Sequence, residues 1–384
     1  MAGPLQGIKV VELAGIGPGP FAAMVLADLG ADVVRVDRAG AVRSERTTSP
    51  NDTMGRGRRS IAIDLKQPDG VEVVLRLAAG ADALIEGFRP GVTERLGVGP
   101  DACWARNPKL VYGRMTGWGQ DGPYAASAGH DINYAALSGT LSLIGRQGEP
   151  PVPPVNLLAD FGGGGMLLAL GVVAGVLEAA RSGAGQVVDA AMVDGSALLS
   201  TMVWGFASTG EWGERGTNLL DTGSWFYETY ECADGRYVSL GSLEPQFYAE
   251  MVRLTGLDDD VDGGGPLPDQ YDKASWGPMK FRMAALMRSR TRDEWCALLE
   301  HTDVCFAPVL SVDEAPHHPH NRARGTFVDV GGVVQPGPAP RFSRTTPGVP
   351  APPAAPGAQT DEILADLGYG APEAASLRHS GAVA

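Results

Sequence analysis

The chain has 384 residues, of which 44% are hydrophobic and 20% charged. That balance and length suit two to three globular domains with cores that need no disulfide or metal staples. Lys and Arg total 31 against 45 Asp and Glu, a net charge of −14, which argues against a nucleic-acid partner because phosphate binding needs a basic face. Cys103, Cys232, Cys296 and Cys305 stand far apart with no Cys-x-x-Cys pair, so a reducing cytoplasm fits. Residues 1–7 lack a cationic segment and a cleavage site. The longest apolar stretch, 166–180, includes Glu178 and falls short of the ~20 residues of a bilayer span. The expectation is a soluble, cytoplasmic protein with no membrane partner.

The first half alternates strand and helix signals. Ile8-Lys-Val-Val-Glu-Leu13 reads as a strand, Gly and Pro punctuate 15–20, and 21–29 reads as a helix with Pro20 near its first turn. Strands follow at 32–36, 60–65, 82–85 and 109–112, with a helix over 69–79. Such alternation predicts βαβ units around a parallel sheet. An apolar helix over 166–181 follows Gly162-Gly-Gly-Gly165, then a strand at 186–189 and a helix over 192–207. Near Phe226 the pattern changes to a hairpin, 226–231 and 236–240, turned at Asp234-Gly235. Helices are expected at 246–255, 276–288 and 292–300, and a polar loop at 258–265. Eight of the 29 prolines lie in 336–356, an extended linker, and 360–367 reads as a capped helix. The predicted organisation is a large α/β domain (1–195), a connection (196–225), a small α+β domain (226–320) and a return segment (321–384). There are no internal repeats.

Gly15-Ile-Gly17-Pro-Gly19-Pro20 after the first strand resembles a dinucleotide-binding turn, but its third glycine position is Pro20, which breaks that fingerprint. The charge map is more informative. Residues 35–66 hold Arg35, Arg38, Arg43, Arg46, Arg56, Arg58, Arg59 and Lys66 against Asp37, Glu45, Asp52 and Asp64. A basic island on an acidic chain predicts a bound polyanion, with phosphates the obvious candidates. His317-His-Pro-His320 lacks the partners of a metal site and reads as an exposed loop.

Two further residues invite chemistry. His130 is the only one of six histidines before residue 300, and it follows a glycine-rich loop. Asp160 stands before Phe161 and four glycines at the head of an apolar helix. Capping explains a carboxylate there but not the glycines, which would let backbone N–H groups approach an oxyanion. A histidine and a carboxylate flanking one carbon suit two-base proton transfer.

Together these segments resemble the alpha-methylacyl-CoA racemase family within the family III CoA-transferase superfamily. The resemblance is carried by Val10-Val-Glu-Leu13, Leu26-Ala-Asp-Leu-Gly-Ala-Asp-Val-Val-Arg-Val-Asp-Arg38, Arg89-Pro-Gly-Val-Thr-Glu-Arg95, Met115-Thr-Gly-Trp-Gly-Gln120, Gly129-His-Asp-Ile-Asn-Tyr134, Asn156-Leu-Leu-Ala-Asp-Phe161 and Leu243-Glu-Pro-Gln-Phe-Tyr248. It implies a Rossmann-like large domain and a smaller α+β domain in an interlocked homodimer. It also implies epimerisation of 2-methylacyl-CoA thioesters through an enolate, with no cofactor beyond the CoA of the substrate and no metal. By resemblance His130 and Asp160 are the two bases and Glu244 orients His130. Arg38, Ile63, Asp64, Leu65, Lys66, Arg89, Gly129, Asp131, Ile132, Asn133 and Tyr134 match substrate-binding positions. Superfamily transferases keep a nucleophilic aspartate where Asp160 stands, so a CoA-transferase is the alternative; a non-catalytic acyl-CoA-binding protein is another. Asp221-Thr-Gly-Ser-Trp225 replaces the family's Asp-Gly-Gly-Ala-Pro, and Trp225 is expected to narrow or re-aim the acyl channel.

Overall fold

The computed structural model describes residues 2–43, 51–258 and 265–384. They form two compact units: Met1–Ser138, Val155–Leu199 and Arg322–Ala384 in the first, Gly139–Pro154 and Ser200–Asn321 in the second. The stretch 139–154, inside the span expected for the large domain, thus clusters with the second unit.

The first unit is built on a six-stranded sheet of β1 (Lys9–Leu13), β2 (Asp32–Arg38), β3 (Arg59–Ile63), β4 (Ala83–Glu86), β5 (Val111–Thr116) and β6 (Val187–Ala191). Every pairing is parallel and the order is β3-β2-β1-β4-β5-β6. Parallel strands are covered on both faces and read as near-continuous apolar runs; β1 is buried at every position after Lys9. Helix Pro68–Ala79 starts on a proline, where no N–H is needed, and buries Val73, Val74, Leu77 and Ala78 on one side. Val11, Val36, Ile61, Ile63 and Leu84 form one core with these side chains, joined by Ile363, Leu364 and Leu377 from the C-terminal helices.

Several element boundaries differ from the sequence reading for local reasons. The strand expected at 109–112 begins at Val111, because Leu110 closes a turn onto the Asn107 carbonyl. The helix expected over 192–207 is two, Met192–Leu199 and Thr201–Thr209, since Ser200 leaves helical geometry between them. Ahead of helix Leu167–Ser182 stands a π-helical segment, Leu157–Met166. The joined run, Leu157–Ser182, has 26 residues and mean hydropathy 1.8, long and apolar enough to cross a membrane by length and composition. This corrects the sequence reading, which stopped at Met166. Leu168 and Val172 of this run are buried, and at Gly175 a side chain would meet Val111 of β5 at 2.9 Å.

The second unit holds an antiparallel sheet of β7 (Tyr227–Glu231), β8 (Tyr237–Gly241) and β9 (Phe306–Val309). Gly235, at φ 73°, turns the hairpin, as Asp-Gly turns do. Trp225, Phe226, Met251, Trp276, Met283 and Trp295 pack its core. Most of the polar loop expected at 258–265 lies outside the described residues.

Back in the first unit, β10 (Phe327–Val330) and β11 (Val333–Pro336) form a hairpin just before the proline-rich stretch. Arg56 ties it down: the buried guanidinium donates to Asp28 and to the Gln335 side chain at 2.7 Å. The proline-rich chain then runs along 55–60, with Gly57 N–H donating to the Ala351 carbonyl and Arg35 to that of Ala354, both at 2.9 Å.

Candidate active site

The strand order reverses between β1 and β4. Connections there leave to opposite sides, so the carboxyl edge of the sheet opens into a crevice. A cavity of about 420 Å³ fills it, walled by Gly15–Pro20 after β1, Glu86–Pro90 after β4, Met115–Trp118 after β5, and by His130, Tyr134, Asp160 and Met192.

His130 ends an extended stretch (φ −134°, ψ 175°) and precedes helix Asp131–Leu137; its backbone N–H donates to Asn133 Oδ1 at 3.0 Å. The residue is exposed and lines the cavity. Asp131 turns the other way and is 5% exposed. Its Oδ2 accepts the N–H groups of Ala159 at 2.7 Å and Asp160 at 2.8 Å, first-turn donors that have no partner inside their own helix. Asp160 is partly buried and reaches the cavity from that turn. Burial raises its carboxyl above the ordinary aspartate value; a hydrogen bond from Asn156 opposes this, Asp131 adds to it and His130 opposes it. Gly17, at φ +70°, carries the loop after β1 past this carboxylate, where a side chain would come within 3.5 Å of Asp160 Oδ2. One cavity therefore presents an imidazole and a carboxyl group whose proton affinity is raised, a pair suited to handing protons to and from one carbon.

Two of the four glycines also meet a packing need. A side chain at Gly163 would meet the Ser196 backbone at 2.7 Å, and one at Gly165 would meet Phe21 at 2.7 Å and the Pro18 carbonyl at 2.8 Å. These two admit neighbouring backbone against the π-helical turn, so close packing accounts for them.

A second cavity, about 510 Å³, lies along the ends of β2 and β3 and is lined by Arg38, Ile63, Asp64, Leu65 and Lys66; it shares Leu13 and Phe88 with the first. Arg38 and Lys66 are exposed and have no ion pair among the described residues. Four more of the island's cations are spent internally, so the polyanion expected from the island meets fewer of its eight cations. Arg35 pairs with Asp37 at 2.8 Å, Arg56 with Asp28 at 2.5 Å, Arg58 with Glu12, and Arg59 with Asp32, Glu362 and Asp366. Arg46 lies outside the described residues.

The other expected site residues divide. Arg89, Gly129 and Tyr134 line the first cavity. Ile132 and Asn133 are exposed and line neither cavity, because successive helical positions turn by about 100° and it is Tyr134 that faces the first cavity. Glu244 is exposed at the start of helix Pro245–Thr255 in the second unit. Trp225 is fully buried against Phe226 and Tyr248, with ring centroids 5.6 and 5.5 Å away. It is a core residue of the second unit, which corrects the expectation of an acyl-channel wall. Of the histidine tract, His318 meets Glu300 at 3.0 Å.

Sequence reasoning passed over Glu12, Glu86 and Asn156. Glu12 and Glu86 are 1% and 5% exposed and line the first cavity. Their signal was available: each is a lone acid at the carboxyl end of an apolar parallel strand, where ligands of such sheets bind.

A family model described as CoA-transferase family III matches residues 5–361. The chain is 48% identical to alpha-methylacyl-CoA racemase of Mus musculus over 97% of this chain and 96% of that one. It is 47% identical to the Homo sapiens protein of the same name, over 95% and 94%. Among solved structures, a CaiB/BaiF family protein from Brucella suis superposes with a TM-score of 0.82 at 27% identity, covering 96% of this chain and all of that one.

Proposed function

The chain belongs to CoA-transferase family III, and within it we propose that this protein is a racemase interconverting the 2R and 2S epimers of 2-methylacyl-CoA thioesters. The observation that carries this reading is the placing of His130 and Asp160 on one cavity at the sheet's switch point; the similarity to two racemases over nearly the whole chain supports it. A thioester acidifies its α-proton. One of the two groups removes that proton to leave an enolate, and the other returns a proton to the opposite face. In the reverse direction the roles exchange, so each group must serve as both acid and base. The raised proton affinity of Asp160 moves it toward serving as an acid as well as a base, and its partner is a histidine, a side chain able to serve as either. The reaction needs no cofactor beyond the CoA of the substrate.

In this reading Arg38 and Lys66 receive the CoA phosphates and Arg89 the entrance to the thioester cavity. The protein acts in the cytoplasm as a homodimer in which Glu244 of the partner subunit orients His130. Unpartnered apolar surface supports self-association: helix Thr201–Thr209 contains no buried residue, with Met202 and Trp204 56% and 62% exposed, and Leu170 and Leu177 are exposed on helix Leu167–Ser182.

The test is one pure 2-methylacyl-CoA epimer in D₂O. Racemisation with deuterium entering the α-position is expected. Transfer of CoA onto a free acid without α-exchange would instead make Asp160 a nucleophile and the protein a CoA-transferase; tight binding with neither reaction would make it a binding protein.

A further inference from the structure

The two cavities share a wall at the end of β4. Leu13 and Phe88 line both, but Leu13 is 3% exposed and belongs to the core. Phe88, partly exposed, is the wall a ligand crosses in passing from one to the other. It lies two residues beyond the end of β4, and its N–H donates to Glu86 Oε2 at 2.6 Å. The groups facing Glu86 leave its charge incompletely matched. Arg114 of β5 stands 3.8 Å away and also serves Glu94, from helix Val92–Arg95, and Gln120 at 2.7 Å. Burial pushes the Glu86 carboxyl up to about 7; the Phe88 N–H and Arg114 oppose this, and Glu94 adds to it.

On the acyl-CoA reading, on which this inference rests, the nucleotide lies beside Arg38 and Lys66 and the thioester beside His130 and Asp160. The pantetheine arm joining them then passes Phe88. We propose that Glu86 is a positioning residue for that arm: its carboxylate clamps the Phe88 N–H and so fixes the wall shared by the two cavities. A hydrogen bond to an ionised acceptor is roughly twice as strong as a neutral one, so protonation of Glu86 loosens the clamp. The arm is remote from the α-carbon and is held alike in ground and transition states. The effect therefore falls on KM, not on kcat.

The experiment compares wild type and Glu86→Gln with a 2-methylacyl-CoA between pH 6 and pH 8. Glutamine keeps an acceptor for the Phe88 N–H but cannot ionise, so it holds the acid-side state throughout. The ratio of KM values, variant over wild type, is expected near one at pH 6 and about fivefold at pH 8, the difference between a charged and a neutral hydrogen bond. The ratio of kcat values stays within about twofold. Taking ratios cancels the titration of the CoA phosphate itself. In a Phe88→Ala background, which removes the wall and leaves the carboxylate, Glu86→Gln should add nothing further. A KM ratio that does not change with pH, a loss carried by kcat, or additive effects in the double variant overturns the proposal. Calorimetry of wild type with a CoA thioester separates this from the parent reading. Absence of binding sinks both, whereas binding and racemisation with a flat ratio sink only the role of Glu86.

Discussion

Asp131 holds Asp160 by its backbone: one carboxylate oxygen accepts the Asp160 N–H at 2.8 Å and the neighbouring Ala159 N–H at 2.7 Å. Asp131 follows His130 directly in the chain, so a single buried side chain ties the segment carrying the imidazole to the turn carrying the carboxyl group. The two proposed bases are thereby fixed against each other without a direct bond.

Asp131→Ala leaves two helix-start donors unpaired and frees the Asp160 turn. Misplacing a catalytic group by about 1 Å can cost around 10²-fold, and kcat for both epimers should fall by about that much. Asp131→Asn keeps one acceptor oxygen and should recover about a tenth or more of wild-type kcat, because the distance is kept and only the charge is lost. Racemisation rates of both variants from each pure epimer check this. Unequal losses in the two directions at saturating substrate are compatible; an unimpaired Asp131→Ala is not.

Asn156 donates to Asp160 Oδ2 at 3.4 Å, and this bond opposes the rise that burial imposes on the Asp160 carboxyl. Removing it in Asn156→Ala should raise the Asp160 pKa further. The pair reacts with one member protonated and the other not, so the acid limb of kcat/KM reports loss of the base form and should move to higher pH. Both directions must shift together, because the ratio of their kcat/KM values is the equilibrium constant of the racemisation. The measurement is the pH profile of kcat/KM from each epimer; an acid limb that stays in place or moves to lower pH refutes the assignment.

Much of this was legible in the chain because its signals are local. Apolar runs gave the parallel strands, Asp234-Gly235 the hairpin, and the solitary His130 and the carboxylate before the glycines the proposed pair. What escaped depends on long-range pairing. The basic island counted eight cations within 35–66, but Arg59 finds Glu362 and Asp366 some three hundred residues away, and Arg56 finds Asp28. No window of sequence shows those partners. Gly163 and Gly165 carried the opposite lesson: their presence was plain, while one reason for them, the backbone at Ser196 and Pro18, lay in neighbouring segments.

Arg38→Ala should mainly raise KM for acyl-CoA and leave kcat nearly intact, since a remote phosphate contact stabilises ground and transition states alike. The motivation is that Arg38, unlike Arg35, Arg56, Arg58 and Arg59, has no carboxylate partner among the described residues and lines the second cavity. Steady-state kinetics with a CoA ester and the matching pantetheine ester decide it. Equal losses on both substrates would mean that Arg38 does not meet the nucleotide.

Glu86 makes stability depend on pH in the direction opposite to a salt-bridged acid. Its carboxyl rests at about 7 in the folded chain against 4.5 for an ordinary glutamate. Between those values the folded state keeps a proton that the unfolded state has lost, so stability declines as pH rises through the window. The full shift corresponds to about 3 kcal/mol. Glu86→Gln cannot ionise and escapes this loss. Urea denaturation at pH 5 and pH 8 should show the variant gaining about 2–3 kcal/mol on wild type between the two. A difference that is the same at both pH values would mean that Glu86 is not a buried acid with a raised pKa.

Trp225 should behave as a core residue. It is fully buried, packs edge-on against Phe226 and Tyr248, and its indole N–H has no partner among the described residues. Trp225→Ala opens a cavity and should destabilise the second unit by about 3–5 kcal/mol. Trp225→Phe keeps an aromatic ring and removes the unpaired donor, so part of its lost packing is offset by relief of an unsatisfied group, a term of about 1–3 kcal/mol. It should therefore cost much less than Trp225→Ala. Neither change should alter which acyl chains are accepted. Denaturation curves give the first comparison, and kcat/KM against chain length for a series of 2-methylacyl-CoAs gives the second. A chain-length profile that broadens in Trp225→Phe, while that variant remains as stable as wild type, would place the indole against substrate after all and return it to the specificity role that its position in Asp221-Thr-Gly-Ser-Trp225 first suggested.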